Sequence, residues 1–116
     1  MSQFLILLYD QPGTWEKISP EEMQKALQKY WAWGDKLRSQ GKMVGSNKLT
    51  AEGRVMRGHS KVHVTDGPFT EGKEVLGGYY LFEAANYDQA VEISRDHPHL
   101  EYGGAIEVRE IQVLAR

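Results

Sequence analysis

The chain has no cysteine among its 116 residues. That removes disulfides, thiolate nucleophiles and cysteine-based zinc sites together. It also lacks an excess of charge of either sign: 14 Lys and Arg stand against 16 Asp and Glu, a formal charge of −2. The basic residues are scattered. Non-specific nucleic-acid binding relies on a concentrated positive face, so no nucleic-acid partner is expected. The apolar run Phe4-Leu5-Ile6-Leu7-Leu8-Tyr9 is too short to span a bilayer, and it has neither a basic leader nor a small-residue cleavage site. These absent signals lead to the expectation of a cytoplasmic protein with no membrane partner. No internal repeat and no low-complexity linker is seen. There is no glycine-rich phosphate loop, because Gly77-Gly78 and Gly103-Gly104 lead into strands rather than helices, and no serine sits in a nucleophile motif.

What is present is ordinary for a globular chain: 41% hydrophobic and 26% charged residues, with Trp15, Trp31 and Trp33 among the aromatics, which argues against disorder. The length fits a single domain over 1–116. A first strand runs from about Gln3 to Tyr9, with Phe4, Ile6 and Leu8 on one face and Leu5, Leu7 and Tyr9 on the other. A strand that is apolar on both faces is covered on both faces. Asp10-Gln11-Pro12-Gly13 breaks it.

Ser19, Pro20 and Glu22 then read as a helix start: a cap, a first-turn proline and a capping-box partner. Met23, Ala26, Leu27, Tyr30, Gly34 and Leu37 form one stripe at helical spacing, with Trp31 and Trp33 on its shoulders. Lys36 and Arg38 suit the last turn, and Gly41 ends the helix. A second strand is expected near Lys42–Leu49. The stretch from Arg54 to Thr65 reads as a hairpin, with Val62 and Val64 on a buried face and Asp66-Gly67-Pro68 as a tight turn. Tyr79–Ala84 is again apolar on much of both faces. Asn86 and Gln89 cap a second helix that must stop by His97, since Pro98 follows. The last strand shows a parity slip between Ile106/Val108 and Ile111/Val113, which suggests a bulge near Arg109-Glu110.

With the inserted hairpin set aside, the order is βαββαβ, an α+β ferredoxin-like arrangement. Its first and third core strands are central, and these are the two that read apolar on both faces. The helices cover one side of the sheet. A second copy of the chain is the simplest cover for the other, so a homodimer closing a dimeric α+β barrel is expected.

The run Lys61-Val62-His63-Val64-Thr65-Asp66-Gly67-Pro68-Phe69-Thr70-Glu71, followed by Gly77-Gly78-Tyr79-Tyr80, resembles the signature of the YCII-related family in its DGPF branch. His97-Pro98-His99-Leu100 and Gly103-Gly104-Ala105-Ile106-Glu107-Val108-Arg109 look like that family's final turn and strand. The resemblance implies a ferredoxin-like protomer and a dimeric barrel. In the broader family it implies an acid–base pair, a His in the first helix and an Asp just before a Pro. Tyr30 and His97 occupy those two positions here, so the pair is not carried over. Some DGPF members are thought to act beside sigma factors, which implies a regulatory protein partner.

The candidate catalytic residues are His97, Asp66 and Tyr30, and the candidate substrate-binding residues are His99, Trp33 and Arg109. His97 and His99 flank Pro98, where they can do acid–base work or serve as a helix C-terminal feature offsetting the dipole. Asp66 offers a carboxylate or simply builds a turn. Tyr30 offers a hydroxyl or a satisfied core side chain. No metal-ligand spacing joins these residues, so no metal and no dissociable cofactor is implied. Two functions follow: a small-molecule binder or acid–base enzyme with its pocket between sheet and helices, or a non-catalytic interaction module. The first requires Tyr30, Asp66 and His97 to converge on one cavity.

Overall fold

The computed structural model describes residues 1–69 and 74–115. Six strands and three helices follow in the order β1 (Ser2–Asp10), α1 (Pro20–Ser39), β2 (Met43–Lys48), β3 (Gly53–Arg57), β4 (His63–Gly67), β5 (Val75–Ala84), α2 (Tyr87–Ser94), α3 (Pro98–Glu101) and β6 (Ala105–Glu110). The main sheet is antiparallel with order β2-β5-β1-β6, the ferredoxin-like arrangement, and β3 pairs with β4 as a separate ribbon. The two strands apolar on both faces, β1 and β5, occupy the centre.

The register sets which face each residue presents. Ile6 lies opposite Tyr80 and Phe4 opposite Phe82, while Leu5 lies opposite Leu81 and Leu7 opposite Tyr79. The first set is the core: Phe4, Ile6, Leu8, Tyr80, Phe82 and Ala84 pack against Trp33 and Leu37 of α1 and Ala90 of α2. Leu5, Leu7, Tyr79 and Leu81 point to the opposite side. They are half-buried, and both long helices contribute their packing residues to the other face.

α1 begins as its sequence dictates. The Ser19 hydroxyl accepts the Glu22 backbone N–H at 3.2 Å, Pro20 needs no partner for a missing N–H, and Glu21 and Glu22 face the positive end of the dipole. Replacing Ser19 by Ala is expected to cost about 1 kcal/mol. Urea unfolding reads this loss, and Ser19→Asp should recover most of it because a carboxylate can accept the same bond. Gly41 closes the helix in the left-handed region, at φ +71°.

Four expectations are corrected. Asp66 and Gly67 lie inside β4, opposite Arg54 and Gly53, rather than in a tight turn. Val62 and Val64 are 48% and 58% exposed, because the β3–β4 ribbon pairs with itself and no helix of the described residues packs on it. The β1–β6 pairing runs without a bulge from Phe4↔Glu110 to Tyr9↔Ala105. The parity slip marks the end of β6, and the register shifts fall between Leu8 and Tyr9 and between Met43 and Gly45 instead. His97 is not a helix C-terminal feature, since it caps the start of α3. Of the motif, Thr70 and Glu71 lie outside the described residues.

Candidate functional site

The site lies at the end of the sheet where β1 leaves it and α1 crosses it. β1 delivers Tyr9 and Asp10, α1 delivers Tyr30 one turn after Ala26 and Leu27, and the short α3 delivers His99. The Tyr30 hydroxyl is 2.6 Å from His99 Nδ1. His99 Nε2 lies 2.8 Å from the Tyr9 carbonyl oxygen and 3.5 Å from Asp10 Oδ1. A carbonyl can only accept, so Nε2 carries a proton. Nδ1 of the neutral ring then accepts, and Tyr30 donates to it. Trp15 completes the group by donating its indole N–H to Asp10 Oδ1 at 3.0 Å.

Burial first, then the nearby Asp10 carboxylate, holds the Tyr30 hydroxyl well above the usual phenol range. Tyr30 therefore keeps its proton at neutral pH and acts as a donor. Tyr80 is pushed up to about 12 by burial. Neither phenol serves as a free phenolate base.

Two glycines make this arrangement possible. A Cβ on Gly104 would overlap the His99 imidazole, and one on Gly77 would overlap the Asp10 carboxylate. Both pairs, Gly77-Gly78 and Gly103-Gly104, lead into strands as expected, but one glycine of each pair is there for the side chain it admits.

Two adjoining cavities of about 470 and 350 Å³ open at this point, and both are lined by Asp10, Trp15 and Tyr30. The larger extends toward Met23, Leu49 and Pro68, and the smaller reaches His99, Trp31 and Tyr80. Their walls are mostly apolar with a few convergent polar groups, the usual make-up of a small-molecule site.

The sequence candidates are divided by the fold. Tyr30 and His99 come together in one hydrogen bond. His97 stacks beside them, 5.2 Å from the Tyr30 ring centroid and 4.5 Å from that of Trp33, but it is 2% exposed and lines neither cavity. Its Nδ1 accepts the His99 backbone N–H at 3.0 Å, which is the N-cap bond of α3, and its Nε2 is buried with no hydrogen-bond partner among the described residues. In this chain the position before Pro98 is thus a helix cap, a role that His97 fills with a ring nitrogen.

Burial first, with the neighbouring His99 adding to it, depresses the His97 imidazole to about 3. The residue is therefore neutral and set behind the site. Trp33 is core: its ring packs on Tyr80 and Phe82, and its indole N–H is satisfied by Asp96 at 2.9 Å. Burial pushes the Asp96 carboxyl up, but hydrogen bonds from Lys36 and Trp33 outweigh that and lower it on balance. Arg109 is exposed on β6 beside Glu107.

Asp66 is exposed on the ribbon, 3.7 Å from Arg54, and lines neither cavity. Tyr30, Asp66 and His97 therefore do not converge on one cavity, and the side chains gathered at the cavity wall are Tyr30, His99 and Asp10. Sequence reasoning missed Asp10, Tyr9 and Trp15. The available signal was a carboxylate at the last position of a buried strand, entering a Pro-Gly loop. Among the described residues no cluster of three or more His, Asp or Glu side chains is placed to hold a metal, and no helix is long and apolar enough to cross a membrane.

A four-stranded antiparallel sheet in the order β2-β5-β1-β6, with helices on one face, places the chain in the class of ferredoxin-like α+β proteins. The chain matches the YCII-related domain over residues 2–115 and belongs to that family. It is 30% identical over 112 residues to an uncharacterized protein of Rhizobium meliloti (strain 1021), an alignment spanning 93% of this chain and 90% of that one. Among solved structures it is similar to 5-chloro-2-hydroxyhydroquinone dehydrochlorinase (TftG) from Burkholderia phenoliruptrix AC1100 in complex with 2,5-dihydroxybenzoquinone, with a TM-score of 0.57, 18% identity, and coverage of 95% of this chain and 93% of that one. At that identity the likeness is one of fold.

Proposed function

We propose that the protein binds a small, planar, hydroxylated molecule in the cavities beside Tyr30 and performs general acid–base chemistry on it. The observation that carries this reading is the 2.6 Å bond from the Tyr30 hydroxyl to His99 Nδ1 at the cavity wall. A ligand hydroxyl can donate to the Tyr30 oxygen while Tyr30 passes its own proton to Nδ1. The imidazolium so formed is favoured by Asp10 at 3.5 Å from Nε2 and by the Tyr9 carbonyl, which keeps Nε2 protonated throughout. The reverse transfer returns the proton, so one group serves as base and then as acid. Trp15, Trp31 and Tyr80 supply flat apolar walls for a ring. The neighbour of similar fold holds a dihydroxylated quinone, which is in keeping with a ligand of this class.

The same reading includes a homodimer. Leu5, Leu7, Tyr79 and Leu81 form an apolar strip on the sheet face opposite the helices, and a second sheet is its natural cover.

The test is an NMR titration with hydroxylated quinones and dihydroxybenzoates, following the Trp15 indole N–H that bonds Asp10. Saturable shifts of that resonance are expected, with affinity falling at least about tenfold in Tyr30→Phe through loss of one buried hydrogen bond. Shifts confined to other resonances, or equal affinity in the variant, would overturn the reading.

A further inference from the structure

The β3–β4 ribbon stands apart from the rest of the chain. Among the described residues its strands pair only with each other, and a lone two-stranded ribbon is marginal in water. The pairing of Met56 with Val64 places Met56, Val64 and, two residues earlier, Val62 on one face. These side chains are 67%, 58% and 48% exposed. Such a face is held in shape by something that covers it.

Surface area indicates what that cover is. The chain exposes 8363 Å², whereas a compact monomer of 13.2 kDa exposes roughly 6,400 Å². The radius of gyration is 16.1 Å, against about 13 Å for a compact chain of this length. The molecule is a plate, 49 × 47 × 19 Å. An excess of about 2,000 Å² is what one protomer of an obligate homodimer gives up at its interface, and more than the roughly 800 Å² of an ordinary transient contact.

Charge agrees with this scale. On the ribbon Arg54 pairs with Glu52 at 2.8 Å and lies 3.7 Å from Asp66, so both signs are present for contacts with a second copy about a two-fold axis.

We propose that the β3–β4 ribbon is a clasp for a second copy of this chain, laying its Met56–Val62–Val64 face on the partner protomer. The clasp rests on the homodimer reading and extends it, since the sheet-to-sheet contact does not by itself use the ribbon. It also bears on the cavity. Thr50, Ala51 and Pro68, at the base of the ribbon, line the larger of the two cavities, so a seated ribbon fixes that wall.

The experiment combines sedimentation over a dilution series with amide hydrogen exchange. In the wild type, amides of 53–57 and 63–67 should be protected in the dimer and lose protection on dilution. The double substitution Met56→Asp with Val64→Asp should weaken dimerisation at least about 100-fold, as loss of two buried interface anchors does. Both side chains are largely exposed, although Met56 also lines a cavity with Phe69 and Leu76, and circular dichroism checks that the variant folds. A wild-type dimer whose ribbon amides exchange freely, with dimerisation unchanged in the variant, would overturn the clasp and leave the homodimer standing, the face then being open to an unrelated protein. A wild type that stays monomeric at every concentration would overturn the homodimer and the clasp together.

Discussion

Lowering the pH from 7 to 5 is expected to destabilise the fold by about 2 kcal/mol through His97 alone. The folded imidazole titrates at about 3, with burial as the main cause, His99 lowering it further and Asp96 opposing both. In the unfolded chain it takes a proton near its ordinary value of about 6.5. Below that pH the unfolded state binds a proton that the folded state refuses. The stabilisation is therefore complete above about 6.5 and is lost progressively as the pH falls toward 3. Urea unfolding at a series of pH values reads the slope. His97→Asn isolates the cause, because an amide oxygen can accept the His99 N–H and keep the α3 cap while the titrating ring is gone. The variant should start less stable, since a space opens among Trp33, Tyr80 and Tyr30. Its loss between pH 7 and 5 should nevertheless shrink to that of the remaining groups. An unchanged slope in the variant would show that His97 is not the residue responsible.

Gly104→Ala is expected to cost about 2–4 kcal/mol and to dismantle the proposed site at the same time. The added methyl occupies the space of the His99 imidazole, which is 3% exposed and enclosed. Overpacking of that kind costs about 1–3 kcal/mol. Moving the ring also strands the Tyr9 carbonyl and the Tyr30 hydroxyl, the partners of its two nitrogens, with a further penalty of about 1 kcal/mol or more for a buried group left unpaired. Thermal unfolding gives the stability loss. The Trp15 indole and His99 ring resonances report whether the site has come apart. A second change, His99→Ala in the Gly104→Ala background, should relieve the overlap and recover part of the stability without restoring ligand binding. If Gly104→Ala proves as stable as the wild type, the close approach of Gly104 to His99 is not what sets this geometry.

His97 and His99 meet at α3, a single turn whose sequence His97-Pro98-His99 places one imidazole behind the cavity wall and one in it. The neutral His97 holds the His99 backbone, and His99 holds Tyr30. Acid lowers the stability of this frame because the unfolded chain takes up the proton that folded His97 refuses, and the proposed proton relay is lost with the fold. Loss of ligand binding below pH 6 that follows the unfolding slope, and is reduced in His97→Asn, is the expected sign of that coupling.

Alternation and capping were legible from local chemistry, because each depends on residues a few positions apart. Phe4, Ile6 and Leu8 against Leu5, Leu7 and Tyr9 marked a central strand. Ser19, Pro20 and Glu22 marked the first turn of α1, and Asn86 with Gln89 marked that of α2. The strand order followed because only central strands need cover on both faces.

The site was half legible. Tyr30 and His99 were singled out by residue type, but their hydrogen bond joins positions 69 apart in the chain. Asp10 read as a strand breaker, and Asp66, made prominent by its motif, proved to be a strand residue on an exposed ribbon.

The amino-acid order by itself determined β1, α1, β5 and α2, the buried faces of β1 and α1, and the central pair of strands, since periodicity and capping act over a turn or two of chain. Only the tertiary structure decided which of two histidines separated by one proline caps α3 and which bonds Tyr30, that Trp33 enters the core while Trp31 remains outside, and that Gly77 and Gly104 clear space for Asp10 and His99. Each of these depends on distances between segments remote in sequence, and such distances exist only once the sheet has brought β1, α1 and α3 to one end.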